Sequence, residues 1–275
     1  MPTFNHPFTM DTWNPDLYLK FETERTRPSH DLVARIQTTD PKRVIDIGCG
    51  PGNSTRVLGD RFTSAEITGL DSSPEMIEKA KTAFPGGAWI CGDAATHKYE
   101  GSYDVIYSNA VLQWIPNQEV LIERLVDHLS PNGILAVQVP GNDASPIQRA
   151  TVEVARREEW SDRTAACMGM IQYREPAFYY EILSKHGLNT DLWITTYIHI
   201  LESQRDLIEW YKSTGMKHFL SALPDLKARN RFADLVLEQI VDAYPIAGNG
   251  KVLFPFRRIF FTARKPRVMS TDPKY

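Results

Sequence analysis

The 275-residue sequence predicts an α/β fold, a mostly parallel sheet with helices on both faces. Three observations predict it. Short β-branched runs alternate with amphipathic runs of helical length, the rhythm of βαβ units. A glycine-rich stretch follows the first of those short runs. Single acids recur just after the next two.

The elements follow in order. The first ten residues show no periodicity and read as disordered. Asp16 to Ile36 reads as helical, with Leu17, Phe21, Leu32, Val33 and Ile36 as its apolar positions. Pro28 inside it is expected to split the segment into two helices, because proline has no N–H to donate. Arg43 to Ile47 is a short buried strand and Asn53 to Asp60 the helix after it. Glu66 to Leu70 is a second strand. Pro74 to Phe84 is a helix with Ser72 or Ser73 as N-cap. Ala88 to Cys91 and Tyr103 to Tyr107 are strands three and four. Val120 to Leu129 is a helix closed by the turn Ser130-Pro131-Asn132-Gly133, before a fifth strand from Ile134 to Val139. The second half is less regular. Glu175 to His186 is helical and stops at Gly187. Asp191 to Leu201 is a long strand, Ser203 to Tyr244 is helix-rich, and Lys251 to Ala263 is the last strand.

Charge and cysteine usage narrow the function classes. A net charge of -3 argues against a nucleic-acid binder, which carries a basic face. Cys49, Cys91 and Cys167 form no Cys-x-x-Cys pair, and so sparse a set fits a reducing compartment. The N-terminus lacks the basic start and apolar run of a signal peptide. No stretch approaches the roughly 18 apolar residues of a membrane helix. The expectation is a cytoplasmic monomer with neither a nucleic-acid nor a membrane partner. The histidines are scattered, with no helical pair beside a carboxylate, so no metal site is expected.

The sharpest motif is Val44-Ile45-Asp46-Ile47-Gly48-Cys49-Gly50-Pro51-Gly52-Asn53. A strand ends, three glycines follow at alternate positions, and a helix starts. Glycine allows a tight turn and a close approach of backbone to ligand. Such a ligand sits outside the carboxyl ends of the strands, at the sheet's switch point. A dinucleotide loop reads G-x-G-x-x-G and places a diphosphate on the helix. Here the third glycine comes one residue early, and Asp46 would repel a diphosphate. Both features speak against a nicotinamide-dependent oxidoreductase. They suit S-adenosyl-L-methionine, which carries an ammonium, a sulfonium and no phosphate. Asp71, at the end of the second strand, is placed for ribose hydroxyls, with Ser72 and Met76 beside it. Asp93 and Ala94 after the third strand suit the adenine amino group.

These motifs resemble class I S-adenosylmethionine methyltransferases over about residues 43 to 140. Further segments resemble the trans-aconitate 2-methyltransferase family: Leu17 to Pro28, Ser108 to Pro116, Val137 to Asn142, Thr195 to His199, Glu209 to Gly215, and Phe254-Pro255-Phe256-Arg257-Arg258. The resemblance implies a Rossmann-like sheet of seven strands, the last of them antiparallel. It also implies an N-terminal helical lid and a helical insertion before the last strand. The expected organisation is 1–40 as lid, 41–140 as cofactor-binding core, and 141–202 as substrate-side insertion with a helix and the sixth strand. Residues 203–250 form a helical cap, 251–264 the last core strand, and 265–275 a disordered tail.

The activity implied is esterification of a carboxylate of a small di- or tricarboxylic acid, by in-line transfer without a metal. A carboxylate is ionised at pH 7 and needs no general base. Its site needs anion clamps, and arginine's planar fork is the best. Arg25, Arg27, Arg174 and Arg258 are the candidates. His199 is a further catalytic candidate, as a hydrogen-bond donor to the acceptor. Tyr18, Gly48, Gly50, Asn53, Asn109 and Trp114 join the cofactor set; Trp13, Gln113, Tyr197 and Trp210 join the substrate set. There are departures from the family. Cys167 to Glu175 replaces a glycine- and basic-rich stretch and keeps one basic residue, Arg174. The last strand lacks a second proline before its arginines. A hydroxyl, amine or carbon acceptor stays open, as does a non-catalytic cofactor-binding role.

Overall fold

The computed structural model describes residues 22–267, with side chains described from Thr26 onward. Trp13, Tyr18, the expected disordered start and the tail beyond residue 267 lie outside the described residues, as does the side chain of Arg25.

Seven strands form one sheet: β1 (Arg43–Ile47), β2 (Glu66–Asp71), β3 (Ala88–Cys91), β4 (Tyr103–Asn109), β5 (Leu129–Pro140), β6 (Asn189–Leu201) and β7 (Val252–Arg264). Their order is β3-β2-β1-β4-β5-β7-β6. The first five run parallel, and β7 runs antiparallel to β5, as expected of the last strand. The order reverses between β1 and β4, which places the switch point at their carboxyl ends.

The helices interleave as the βαβ rhythm requires. They are α1 (Glu22–Arg35), α2 (Asn53–Arg61), α3 (Pro74–Ala83), α4 (Gln118–Asp127), α5 (Pro146–Ala155), α6 (Ser161–Thr164), α7 (Pro176–Lys185), α8 (Gln204–Lys212), α9 (Lys217–Ala222) and α10 (Leu226–Ile240). The predicted caps hold. Ser73 accepts from the Met76 N–H with Pro74 at the first helical position, and Gly187 takes φ +66° after α7.

Three local readings are corrected. Pro28 does not split α1, which continues through it. The missing N–H removes one hydrogen bond, while Leu32, Val33 and Ile36 are almost fully buried and hold the helix together. Leu129 is the first residue of β5 rather than the last of α4. Leu129 pairs with Tyr103 and Ile134 with Val105, so Ser130–Gly133 is a bulge inside the strand, with Asn132 at φ +66°. Lys265 is tied down rather than disordered: its ammonium donates to the carbonyls of Val126 and Leu129.

The chain packs as two compact units. One holds Glu24–Gly141, Gln172–Thr196 and the chain from Arg257 onward. In it, one face of the sheet is apolar: Ile45, Ile47, Ile106, Leu135, Val137, Ile259 and Phe261 pack with α4 and α7. The other face carries polar side chains. Register pairs Asp46 with Tyr107, Asn109 with Gln138, and Pro140 with Arg258, and alternation along each strand then puts Asp46, Asn109, Gln138 and Arg258 on the same side. Tyr107 on that side donates to Ser29 Oγ of α1 at 2.8 Å.

The second unit includes Asn142–Ile171 and Tyr197–Phe256. Its core is aromatic, with Trp160 edge-on to Phe232 and Phe219 stacked on the same ring. The amphipathic helix α10 lays its buried residues, Phe232, Ala233, Val236 and Ile240, into that core. Among the described residues, no helix is long and apolar enough to cross a membrane.

Candidate active site

The glycine loop folds as the motif demands. Gly48, Gly50 and Gly52 all adopt positive φ, at 68°, 53° and 93°. The N–H groups of Gly48 and Cys49 both donate to the Leu70 carbonyl, which locks the loop to β2. The glycines differ in what surrounds them. A Cβ on Gly48 would stand 2.3 Å from Val111 Cγ2, a clash, whereas a Cβ on Gly50 would meet nothing within 4 Å. Gly48 therefore serves packing, and Gly50 faces open space where a ligand can approach the backbone.

Asp46 lies beneath this loop, fully buried. Its Oδ2 accepts from Ser54 Oγ at 2.6 Å and Thr55 Oγ1 at 2.7 Å, which pins the start of α2 to the end of β1. Its Oδ1 is buried with no partner among the described residues. Burial pushes the carboxyl up to about 7, partly offset by the Ser54 and Thr55 hydroxyls, with the nearby Asp71 charge adding to the rise. A cationic ligand over the loop would favour the ionised form. An unpaired buried carboxylate oxygen beside open glycine backbone fits S-adenosylmethionine and does not fit a diphosphate.

The other two acids sit at successive strand ends. Asp71 Oδ2 accepts from the Gly50 N–H and Oδ1 from the Ser73 N–H, both at 2.9 Å. Each oxygen keeps a lone pair for a hydroxyl. Asp93, exposed, accepts from the Ala95 N–H at 2.8 Å, and Ala94 beside it is buried. Arg124 of α4 fastens this turn by donating to the carbonyls of Ala95 and His97. Asn53 begins α2, while Ser72 and Met76 lie exposed and half-buried around the cap of α3.

A second cluster surrounds the end of β4. Ala110 holds φ +60°, a strained value for a residue with a Cβ. Its N–H donates to the Gln138 carbonyl at 2.9 Å, and its carbonyl accepts from Gln113 Nε2 at 2.7 Å. The Gln113 carbonyl in turn accepts from the Gln172 N–H at 2.7 Å. Tyr179 donates to Gln118 Oε1 at 2.8 Å, and Gln118 Nε2 donates to the Gln172 carbonyl at 2.7 Å. Burial pushes the Tyr179 phenol up, so it remains a donor. Gln172 Oε1 then accepts from Arg174 at 3.1 Å, and the guanidinium lies over the Phe178 ring.

Arg174 has no carboxylate partner among the described residues, and its buried Nε has no partner at all among them. The adjacent Glu175 is taken by Arg257 through both its oxygens. Two further oxygens are buried here without partners among the described residues, Asn109 Oδ1 and Gln113 Oε1. Arg258 is buried on β7 and donates to Gln138 Oε1 at 3.2 Å. Trp114 is 42% exposed, a ring with surface left to offer. Arg27 is exposed on α1.

His199, Tyr197 and Trp210 belong to the second unit's core. His199 is 5% exposed, its ring 4.5 Å from Trp210 and 6.0 Å from Phe254. Tyr197 and Trp210 are buried more deeply still. Among the described residues, no three His, Cys, Asp or Glu side chains are grouped to hold a metal ion.

Sequence reasoning missed Gln118, Gln138, Gln172 and Tyr179 of this site. Gln138 was legible as the one amide in an otherwise apolar strand, Leu-Ala-Val-Gln-Val. Gln118 and Gln172 had no such signal, because their role arises from segments far apart in sequence meeting.

Residues 21–192 match a family model described as "Methyltransferase domain". A trans-aconitate 2-methyltransferase of Methylobacterium radiotolerans is 42% identical over 259 residues, covering 93% of this chain and 99% of its own. One of Klebsiella pneumoniae is 41% identical over 256 residues, with the same coverage of both. Among solved structures, the YcgJ protein of Bacillus subtilis shares the fold, with a TM-score of 0.58 at 15% identity over 88% of this chain and 99% of that one. By these matches the chain belongs to the trans-aconitate 2-methyltransferase family of methyltransferase-domain proteins.

Proposed function

We propose that this methyltransferase esterifies a carboxylate of trans-aconitate or a closely related small di- or tricarboxylic acid. The observation that carries the reading is Arg174: a half-buried guanidinium, aimed by a chain of glutamines, with no acid among the described residues to neutralise it. A site built around an unpaired arginine awaits an anion. The curated relatives are named for transfer to such an acid.

S-adenosylmethionine, when bound, supplies a methyl group activated by its sulfonium. Gly48 to Gly52 admit it to the switch point. Asp46 favours its positive charge, Asp71 takes the ribose hydroxyls, and Asp93 with Ala94 takes the adenine edge. Asn53, Ser72, Met76, Asn109 and Trp114 complete that surface, with Tyr18 from the N-terminal segment. The acceptor carboxylate needs no base, being ionised already. The protein's task is therefore to hold one carboxylate oxygen in line, and orientation of this kind contributes up to about 7–11 kcal/mol in the best cases. Arg174, fixed by Gln172 and Gln113, performs that holding. Arg25, Arg27 and Arg258 are the remaining anion contacts.

The test is transfer of labelled methyl to a panel of acids: trans-aconitate, cis-aconitate, isopropylmalate, fumarate and aromatic diacids. Base-labile label on a di- or tricarboxylic acid is the expected result. Tight cofactor binding with no transfer to any acid would overturn the proposal.

A further inference from the structure

We infer that Gln138 reads a second carboxylate on the acceptor, through amide N–H groups that Arg258 aims; the inference rests on the carboxyl-methyltransferase reading above. Gln138 has no exposed surface and sits on β5, between β4 and β7. Its Oε1 accepts from Arg258 Nη1 at 3.2 Å. A guanidinium can only donate, so the amide oxygen must face Arg258 and the NH₂ must point away. That NH₂ is buried with no partner among the described residues.

Folds rarely leave a buried amide donor unmet. The strand around Gln138 is otherwise apolar, and of the amide's two ends only the oxygen is used by the protein, by Arg258. The acceptor that is nearest by register is not used: Asn109 pairs with Gln138 across β4 and β5, on the same face, yet Asn109 Oδ1 is also unpartnered. Two orphaned groups of opposite kind that do not meet each other are available to a ligand between them. Beside a buried arginine, the group best matched to the free N–H donors is an anionic oxygen.

This subsite is tied to the first by the backbone. The Ala110 N–H is held by the Gln138 carbonyl, and the Ala110 carbonyl by Gln113, whose own carbonyl is bonded to the Gln172 that braces Arg174. One strained residue thus joins two anion holders. A monocarboxylate can satisfy one of them; an acid with two or more carboxylates satisfies both. Gln138 is therefore a specificity-determining residue.

The experiment compares wild type with Q138L and Q138E, using trans-aconitate and the monocarboxylate but-2-enoate. Calorimetric affinity for each acid is measured with S-adenosylhomocysteine bound, alongside kcat and KM. Q138L should weaken trans-aconitate binding about 10- to 100-fold, the range for a lost hydrogen bond to a charged group. Binding of but-2-enoate and of S-adenosylhomocysteine should not change, and Tm should fall, because Arg258 loses the Gln138 Oε1 acceptor. Q138E should be worse for trans-aconitate, since its carboxylate repels the ligand's. An equal loss for both acids, or no loss, would show that Gln138 only braces Arg258 and would overturn the inference. Should Q138L fail to fold, Q138M carries the same readout. A wild type that transfers to no acid sinks both readings, whereas an active wild type with indifferent Gln138 variants leaves the carboxyl reading standing.

Discussion

The carboxyl ends of β1–β3 and of β4–β7 solve different problems. At β1–β3 the protein completes most of its own hydrogen bonds: both oxygens of Asp71 accept backbone N–H groups, Asp93 accepts another, and Gly48 and Cys49 share one carbonyl, while Asp46 Oδ1 and Trp89 Nε1 stay without partners among the described residues. At β4–β7 the polar groups are left incomplete: Asn109 Oδ1, Gln113 Oε1, Gln138 Nε2 and Arg174 Nε are buried without partners among the described residues. The first region is a backbone-built cradle with one open carboxylate oxygen, on Asp46, left for a cationic cofactor. The second stores unmet hydrogen-bonding capacity, which costs stability until an acceptor completes it. Substrate choice should therefore lie in the second region and foldability in the first.

The glycine loop offers the largest effect. Gly48→Ala puts a Cβ against Val111 at positive φ and should destabilise the fold by about 2–5 kcal/mol, from left-handed strain plus overpacking. Gly50→Ala meets open space and should cost only about 1–2 kcal/mol of strain, yet weaken cofactor binding, because its methyl stands where the ligand approaches. Thermal melts and cofactor titrations of the two variants separate the roles. Equal losses of stability in both would erase the distinction between packing and cradle.

Arg174→Ala is next. Removing a charge-assisted hydrogen bond costs about 1.5–3 kcal/mol, or roughly 10- to 100-fold in kcat/KM for the acid. Cofactor affinity should hold, because Arg174 reaches β4 through glutamines and not the glycine loop. Arg174→Lys keeps the charge but loses the fork, so it should recover part of the activity. A variant that loses cofactor binding as well would mean that the two regions are one.

This contrast also explains what the sequence disclosed. The β1–β3 region was legible because its function rests on backbone, and backbone requirements appear as residue types at fixed spacing: Gly48, Gly50, Gly52, then one acid per strand end. The β4–β7 region was half legible. Arg174 and Gln113 stood out, but Gln118, Gln172 and Tyr179 act through a chain of contacts that no local pattern encodes. Pro28 misled because tertiary burial of Leu32 and Ile36 outweighed one lost hydrogen bond. The turn at Ser130–Gly133 misled because a bulge and a turn share their residues. Helix α5 was missed despite a Ser-Pro start, although Ser145 caps it as Ser73 caps α3.

Asp46 should give a smaller effect, visible in pH dependence. Its folded carboxyl is raised to about 7, above the ordinary value near 4 in an unfolded chain. Between those values the native state holds a proton that the unfolded state has released. Stability from this group is therefore full below about pH 4 and declines as pH rises to about 7. Cofactor affinity should run the other way: a bound cation favours the carboxylate, so binding releases a proton and strengthens up to about pH 7, then levels. Asp46→Asn should flatten both slopes, as calorimetry in buffers of different ionisation enthalpy would show. An unchanged slope in that variant would assign the titration elsewhere.

His199 should matter least to the chemistry. It lies against Trp210 and Phe254 in the second unit's core, and a carboxylate acceptor has no proton to give up. His199→Gln should lower Tm while leaving kcat for the acid within about tenfold, and should leave the pH profile of kcat between 6 and 8 unaltered in shape. General-base catalysis contributes about a hundredfold or more. A loss of that size, with the profile's acid limb removed, would assign His199 a proton-abstracting role and move the acceptor from a carboxylate to a hydroxyl or carbon. The incomplete hydrogen bonds around β4 would then await a different anion from the one that reacts.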